Sequence, residues 1–356
     1  LGGRGMAIVY DDSDLVTYME SATHVPPDRP VYLDAFLEDA IELDVDALCD
    51  TEECYVGSVL EHIEECGIHS GDSACCWPPF SLSEKIVDQI RAITKKLALA
   101  CGIRGLLNIQ YAVRDEHVFV IELNPRASRT VPFSSKATGV SLAKYASRIM
   151  AGEKISELRA QGLLPDENRT VDYYAVKEAV MPWSRFPGAD SILGPEMKST
   201  GEVMGIARTF PAAYAKTREA VENKLPEQGS VFISVCDRDK RAIAPVAMAL
   251  ENLGYGIYTT GGTAKTLRAA GIDCTTVNRI SDGHPNVVDL MRDKTVSFII
   301  NTPHGHEAHS DGTKMRAEAV SQGITCVTAM SAATALIQAL AAARKSEPET
   351  FALQDL

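Results

Sequence analysis

The stretch Val118 to Arg129, VFVIELNPRASR, holds the residues best suited to chemistry. Glu122 and Asn124 stand two apart, and side chains at i and i+2 of a strand project from one face. Val118, Phe119, Val120, Ile121 and Leu123 surround them, so the strand is expected to be largely buried. An acid and an amide in such a place are costly unless they hold something. A carboxylate beside an amide oxygen suits a hard divalent cation, and Arg126 and Arg129 just beyond suit phosphate oxygens. The other reading of the same alternation is a half-buried strand whose polar face meets water.

A second strand bears on the choice. Leu106 to Val113, LLNIQYAV, runs through polar Arg114 to His117 into the first strand, which is a hairpin pattern. With a three-residue loop, Asp115 to His117, Arg114 faces Val118 and Gln110 falls opposite Glu122. A two-residue loop would turn Gln110 to the other face. A cation held by Gln110, Glu122 and Asn124 therefore demands an odd loop length.

Further elements must position these groups. Ala40 to Leu48, AIELDVDAL, alternates strictly: Ile41, Leu43, Val45 and Ala47 share one face, and Glu42, Asp44 and Asp46 share the other. Asp44 and Asp46 read as a solvated acidic face. The segment Val56 to Ile63 follows, and the polar run His69 to Ser73 is expected to line the same cleft. Ser81 to Cys101 reads as a helix opened by a capping box, Ser81 with Glu84, and carrying the apolar stripe Ile86, Ile90, Ile93, Leu97 and Cys101. A shorter helix is expected at 141–151. Pro182, Pro187, Gly188, Gly194, Pro195 and Gly201 then break the pattern into an irregular connection. An Ala-rich helix, 212–223, ends near Pro226 to Gly229, where a domain boundary is expected.

From Ser230 onward, strand-like runs at 231–235, 256–259, 274–277, 296–301 and 325–328 alternate with helical segments, as in a doubly wound parallel sheet. Ligands of such sheets bind beyond the carboxyl ends of the strands, which singles out Lys240, Thr260, Gly261, Gly262, Thr263, Arg279, Asn301 and Thr302. Thr260-Gly-Gly-Thr263 before an expected helix at 264–270 offers backbone N–H groups and hydroxyls, while Lys240 and Arg279 add charge, a set that fits phosphate. A turn without a ligand is the other reading of the glycine pair. His304, His306 and His309 lie in a loop without the helix that i, i+4 metal ligands need, so solvated histidines are expected there.

Composition narrows the class. A chain of 356 residues accommodates two or three domains, and 45% hydrophobic residues suit a globular core. The formal charge of -13 argues against a nucleic-acid partner and against an anionic membrane surface. Nine scattered cysteines without a C-x-x-C spacing read as reduced thiols. No apolar run reaches the roughly 18 residues of a membrane span and no signal peptide opens the chain, so a cytoplasmic location is expected.

The pattern formed by Gln110 and Glu122-x-Asn124-Pro-Arg126-x-Ser-Arg129, with Gly67-x-His69-Ser70-Gly71-Asp72-Ser73 upstream and LGPEMKSTGEVMG (193–205) downstream, resembles the ATP-grasp portion of the carbamoyl phosphate synthetase large-chain family. The C-terminal part resembles the methylglyoxal synthase-like (MGS-like) allosteric domain of the same family, so the likeness spans the chain. It implies a mixed α/β and α+β protein: a truncated ATP-grasp domain at 1–181, a connecting segment with a helix at 182–229, and a doubly wound MGS-like domain at 230–356. The implied activity is an ATP-dependent ligase that phosphorylates carbamate, the second phosphorylation of carbamoyl phosphate synthesis, serving arginine and pyrimidine biosynthesis. Gln110, Glu122 and Asn124 would hold Mg2+ or Mn2+, with K+ as a further cation, and Arg126 and Arg129 would be catalytic. ATP would meet Gly2, Gly3, Asp34 on a preceding strand, Leu37, Glu42, Gly67, Ile68, His69, Ser70, Gln110 and Glu122.

The resemblance also implies effectors and a partner. A nucleotide monophosphate, IMP or UMP, would bind at Lys240, Thr260, Thr263, Arg279 and Asn301. Ornithine would bind at Glu64, Asp72, Glu178 and Thr328, and a glutaminase small chain would be the protein partner. Two positions depart from the family pattern: Arg279 stands where a Lys is familiar, and Pro303 where a Thr hydroxyl is expected. The Gly-Gly-Asp-Gln-Gln segment of methylglyoxal synthases is absent, since the chain runs Ser281-Asp-Gly-His-Pro-Asn286, so lyase chemistry is not expected. Leu1-Gly2-Gly3-Arg4-Gly5-Met6 reads as a phosphate-contacting loop entering a strand at 7–10, which predicts a piece of a longer protein with weak ATP affinity and no carbamoyl phosphate production of its own. The alternative is a regulatory effector-binding fragment without turnover.

Overall fold

The computed structural model describes residues 6–21, 31–186, 188–221, 226–302, 307–345 and 349–355, so Gly2, Gly3, Pro303, His304 and His306 lie outside the described residues. The first half contains α1 (Asp12–Ser21), β1 (Ile41–Asp50), β2 (Cys54–His62), β3 (Cys75–Trp77), α2 (Glu84–Ala100), β4 (Arg104–Arg114), β5 (His117–Asn124), α3 (Val131–Thr138), α4 (Leu142–Met150), α5 (Ile155–Ala160), β6 (Tyr174–Val180), β7 (Gly201–Ala207) and α6 (Phe210–Ala220). Its seven strands form an antiparallel sheet in the order β5-β4-β1-β2-β3-β6-β7. The second half contains β8 (Ser230–Val235), α7 (Lys240–Asn252), β9 (Gly256–Thr260), α8 (Gly261–Ala269), β10 (Thr275–Val277), α9 (Val287–Arg292), β11 (Phe298–Thr302), α10 (Glu307–Gln322), β12 (Thr325–Val327) and α11 (Met330–Ala343). Its five strands are parallel, in the order β10-β9-β8-β11-β12.

Apolar periodicity places the helices. Leu43, Val45 and Ala47 of β1 pack with Ile109 and Tyr111 of β4 against Ile86, Val87 and Ile90 of α2. On the opposite face, Leu48 and Tyr55 pack against Leu142, Tyr145 and Ile149 of α4. In the second half, α7, α8 and α11 cover one face of the sheet. Helices α9 and α10 cover the other, which is the doubly wound arrangement.

Several local expectations give way to longer-range bonds. Residues 6–10 and 31–37 form no strand, so neither the expected strand at 7–10 nor one carrying Asp34 exists. Asp11 instead accepts from Asp14 N at 2.9 Å and starts helix α1. The Ser81–Glu84 capping box does not form. Glu61 of β2 takes the Ser81 hydroxyl together with Phe80 N and Ser81 N at 2.8 and 3.0 Å, and α2 begins at Glu84. The segment expected only to connect the two halves supplies β7, which pairs with β6 from Val180↔Gly201 to Tyr174↔Ala207 and forms an edge of the first sheet.

The halves meet through small side chains. Ala213 and Tyr214 of α6 join Ala332, Ala335 and Ala339 of α11 in one buried cluster with Val176 and Ile63. The approach of β7 to α6 is closer still: a Cβ on Gly205 would stand 2.3 Å from the Ala213 carbonyl oxygen, a backbone atom that no rotamer change can move. Gly205→Ala is therefore expected to cost about 1–3 kcal/mol by forced displacement of α6. Urea unfolding of the full chain measures it, and an unchanged midpoint would show that α6 shifts at no cost.

Candidate functional site

The β4–β5 hairpin is built differently from expectation, with the expected outcome at Gln110. Arg114 pairs with His117, so the loop is the two residues Asp115 and Glu116, not three. Their φ values of +50° and +62° are those of a type I′ turn, whose twist suits a tight hairpin. An even loop would set Gln110 against Ile121. A bulge between Gln110 and Tyr111 leaves Ile121 unpaired, and Gln110 faces Glu122 after all, followed by Asn108 opposite Asn124. Gln110, Glu122 and Asn124 thus lie on one face. Asn124 Nδ2 donates to Glu122 Oε1 at 2.8 Å, and Arg126 Nη2 donates to Asn124 Oδ1 at 3.2 Å.

Contrary to expectation, β5 is not buried. It is the edge strand, and Phe119 and Ile121 are 40% and 49% exposed, with Glu122, Arg126 and Arg129 exposed as well. Only Val118 and Leu123 pack on the α2 core. The Glu122 carboxylate is accordingly open to a ligand.

The expectation of a solvated acidic face fails two strands further in, on β1. Asp44 and Asp46 are 1% and 0% exposed, and Glu42 is buried beside them. Asp44 accepts from Asn108 Nδ2 at 3.1 Å and faces His62 Nε2 at 2.9 Å. Burial alone would raise the Asp44 pKa, but the bond and charge of His62 outweigh it and hold it below the usual value. Burial would likewise lower His62, and its bond to Asp44 raises it instead. For Asp46 burial wins and its pKa is raised.

Asp46 is the hub for the arginine loop. Its Oδ1 accepts from Ser128 Oγ at 2.6 Å and Asn108 Nδ2 at 3.1 Å, and its Oδ2 from Thr130 Oγ1 at 2.6 Å and Ser134 Oγ at 3.0 Å. Ser128 sits between Arg126 and Arg129, so this carboxylate fixes the loop that presents both guanidinium groups.

The other expected nucleotide contacts converge on the turn after β2. Glu42 Oε2 accepts Gly67 N at 2.9 Å, and burial raises its pKa. Gly67 has φ +94°, and a Cβ there would meet the Phe36 ring at 3.0 Å, which seats the segment of Asp34 and Leu37 against the turn. Asp34 itself is exposed and Leu37 half-buried. Ile68 and Ser70 are half-buried, Ser70 O accepts from the buried Lys177 Nζ at 2.9 Å, and His69 Nδ1 accepts from Gly71 N at 2.9 Å. Partial burial lowers the His69 pKa. Sequence reasoning passed over His62, Asn108 and Lys177. The three acids alternating along one strand were the available signal for them, since buried carboxylates require donors.

The residues expected to hold ornithine lie at the junction of the halves. Glu178 pairs with Arg218 and accepts from Thr217 Oγ1 at 2.8 Å. Burial, then the neighbouring Glu178 charge, pushes Glu64 up to about 7. Thr328 is flanked by Val327 and Ala329, which pack with Ile63 in the shared cluster. Asp72 is already engaged, accepting Lys198 N at 2.7 Å and Ser199 N at 2.8 Å.

At the carboxyl ends of the parallel sheet, Thr260 is the N-cap of α8, and Gly261, Gly262 and Thr263 form its first turn rather than preceding it. Lys240 opens α7, with Nζ paired to Asp237 and 3.5 Å from where a Gly262 Cβ would be. Asn301 donates to Ser234 O at 2.9 Å between β8 and β11, where the direction of winding reverses. Arg279 is exposed after β10. These residues share one end of the sheet, with backbone donors and two cations around it.

The Asp46 hub generates a test. Asp46→Ala would leave Ser128, Thr130, Ser134 and Asn108 without their acceptor, at an expected cost of about 2–4 kcal/mol. Urea unfolding followed at Trp77 measures it, and wild-type stability would show that water replaces the carboxylate.

Residues 1–158 match the family model described as carbamoyl-phosphate synthase L chain, ATP binding domain, and residues 242–328 match the MGS-like domain. The carbamoyl phosphate synthase large chains of Kocuria rhizophila and Corynebacterium glutamicum are 48% and 49% identical across 100% of this chain, which spans 33% of each. The biotin carboxylase domain of a single-chain bacterial carboxylase is similar at 17% identity and TM-score 0.45, over 59% of this chain and 52% of that one. Among the described residues no helix is long and apolar enough to cross a membrane. With an L-chain ATP-binding domain followed by an MGS-like domain, and large chains matching it from end to end, the protein belongs to the carbamoyl phosphate synthase large-chain family.

Proposed function

We propose that the first half binds ATP and takes part in phosphorylating carbamate, and that the second half carries effector sites that govern it. The observation that supports this best is the bulged hairpin, which sets Gln110 opposite Glu122 beside Asn124 with Arg126 in contact. One carboxylate and two amide oxygens are a fitting donor set for Mg2+ or Mn2+. Such a cation, when bound, would neutralise charge on the ATP phosphates. The chain's own groups do the rest. The γ-phosphoryl group leaves the ADP oxygen for a carbamate oxygen, and Arg126 and Arg129 hold its equatorial oxygens through transfer. Gly67, Ile68, His69, Ser70, Glu42, Asp34 and Leu37 form the nucleoside side. K+ would be a further cation.

Because the chain spans a third of its relatives' length, we take carbamoyl phosphate production to need the remainder of a large chain and a glutaminase small chain, in the cytoplasm and for arginine and pyrimidine biosynthesis. We read 1–181 as the ATP-grasp unit, extended by β7 and α6 from 182–229, and 230–356 as the effector unit. IMP or UMP would occupy Lys240, Thr260, Thr263, Arg279 and Asn301. Ornithine would meet Glu64, Asp72, Glu178 and Thr328. A second reading, an effector-binding fragment without turnover, is favoured by the exposure of Glu122, Arg126 and Arg129.

Glu122→Gln is expected to weaken MgATP binding to the full chain tenfold or more while leaving Mg2+-free ATP binding within twofold. Calorimetry with and without Mg2+ measures both, and equal MgATP affinity in the two proteins would remove Glu122 from the site. ATP formation from ADP and carbamoyl phosphate, measured with this sequence in a complete large chain, decides between the readings: loss of turnover on Glu122→Gln supports the first, and unchanged turnover supports the second.

Glu64 supplies a pH test. The ionised carboxylate is the form that attracts a diamino acid cation, and burial with the Glu178 charge delays ionisation until about pH 7. Ornithine affinity should therefore rise as pH increases through 7, and Glu64→Gln should flatten the profile. A wild-type profile flat between pH 6 and 8 would exclude Glu64.

A further inference from the structure

The segment from Asp190 to Ser199 has neither helix nor strand, yet both of its ends are anchored in different halves of the molecule. At one end Asp190 is gripped by Arg316 of α10, whose Nε and Nη2 donate at 2.5 and 2.8 Å. Arg316 is wholly buried, and its remaining nitrogen, Nη1, donates to Asn301 Oδ1 at 3.1 Å. One planar guanidinium therefore spans the strand end of the proposed nucleotide pocket and the segment. Thr313 Oγ1 at 3.0 Å and Ile192 N at 3.0 Å hold the same carboxylate, whose pKa these bonds and the Arg316 charge lower against the effect of burial.

At the other end the segment grips the His69–Asp72 turn. Gly194 O accepts His69 N at 2.9 Å, Asp72 takes Lys198 N and Ser199 N, and Ser199 Oγ donates to Gly71 O at 3.0 Å. Met197 closes on the turn so tightly that a Cβ on Gly71 would meet its sulfur at 2.7 Å. A buried ion pair is weak evidence for stability, since apolar side chains of similar volume often serve as well, but its fixed bidentate geometry transmits displacement.

We propose that the Asp190–Ser199 segment is a strap that couples the two sites: a nucleoside monophosphate engaging Asn301 moves Arg316, Arg316 moves Asp190, and the strap moves the His69–Asp72 turn of the ATP site. This rests on the reading of the Asn301 pocket as a monophosphate site. The halves are also joined by the α6–α11 alanine packing and by Arg238 with Glu65 at 3.4 Å, so slackening the strap leaves them together.

The test uses the full chain, IMP and UMP as probes, and two variants. Asp190→Asn weakens the grip on Arg316. Insertion of two glycines between Ile192 and Leu193 lengthens the strap without altering the buried pair, and so covers the case in which Asp190→Asn does not fold. In the wild type, a saturating monophosphate is expected to change MgATP affinity about fivefold or more, the usual scale of coupling between sites. In the variants that factor should fall to nearly one, with each ligand alone binding within twofold of wild type. Amide hydrogen exchange at His69, Asp72 and Ser73 should accelerate in both variants without ligand. Persistent coupling in the glycine-insertion variant, or no coupling in a wild type that binds both ligands, overturns the strap. If neither monophosphate binds, the pocket reading fails, and the exchange rates alone decide whether the strap holds the turn: unchanged rates overturn it.

Discussion

Three carboxylates of one strand, Glu42, Asp44 and Asp46, are buried side by side on a sheet face, and the rest of the first half is arranged around satisfying them. A buried acid without donors costs several kcal/mol, so each recruits hydrogen bonds from a different part of the chain. Glu42 draws in the Gly67 turn, Asp44 holds His62 of β2 and Asn108 of β4, and Asp46 collects the hydroxyls of Ser128, Thr130 and Ser134. The candidate nucleotide turn and the arginine loop are thus positioned by the same requirement. Asp44 and Asp46, which lie outside the proposed ligand contacts, fix the elements that carry them.

The border of the sheet two strands from β1 obeys another rule. As an edge strand, β5 has no neighbour to enforce a regular ladder, and a bulge is tolerated there because only one side of the backbone is paired. That bulge lets a tight two-residue turn coexist with Gln110 facing Glu122. The result is a carboxylate and two amides at an open edge, next to a dense polar interior that holds the strand beneath them. Rigid support with solvent access is what a site for a charged, exchangeable ligand needs.

Between the halves the contacts divide into two kinds. Alanines of α6 and α11 pack helix to helix, which joins the halves with little side-chain entropy to lose. The Arg316–Asp190 pair and the strap add directional bonds that reach from the Asn301 strand end to the His69 turn. Packing holds the units together, while fixed polar geometry relates the position of one site to the other.

How much of this was legible in the sequence follows from range. Period-two alternation in β1, the polar break between β4 and β5, and the strand–helix alternation after Ser230 are local signals, and the elements they imply exist in the structure. Thr260 to Thr263, Lys240 and Asn301 gather because parallel strands must end at one side of their sheet, a consequence of connectivity that the pattern already contained. What the pattern did not contain was which faces would be covered. Alternation puts Asp44 and Asp46 on one face without saying that α3, His62 and Asn108 close over it. Nor does it say that Glu61 will take the bonds Ser81 could have spent on its own helix. The two-residue turn and the bulge cancel each other in register, and β7 exists because β6 offers it an edge. Those outcomes depend on partners tens of residues away, where the energies of burial and of unsatisfied polar groups exceed any local preference.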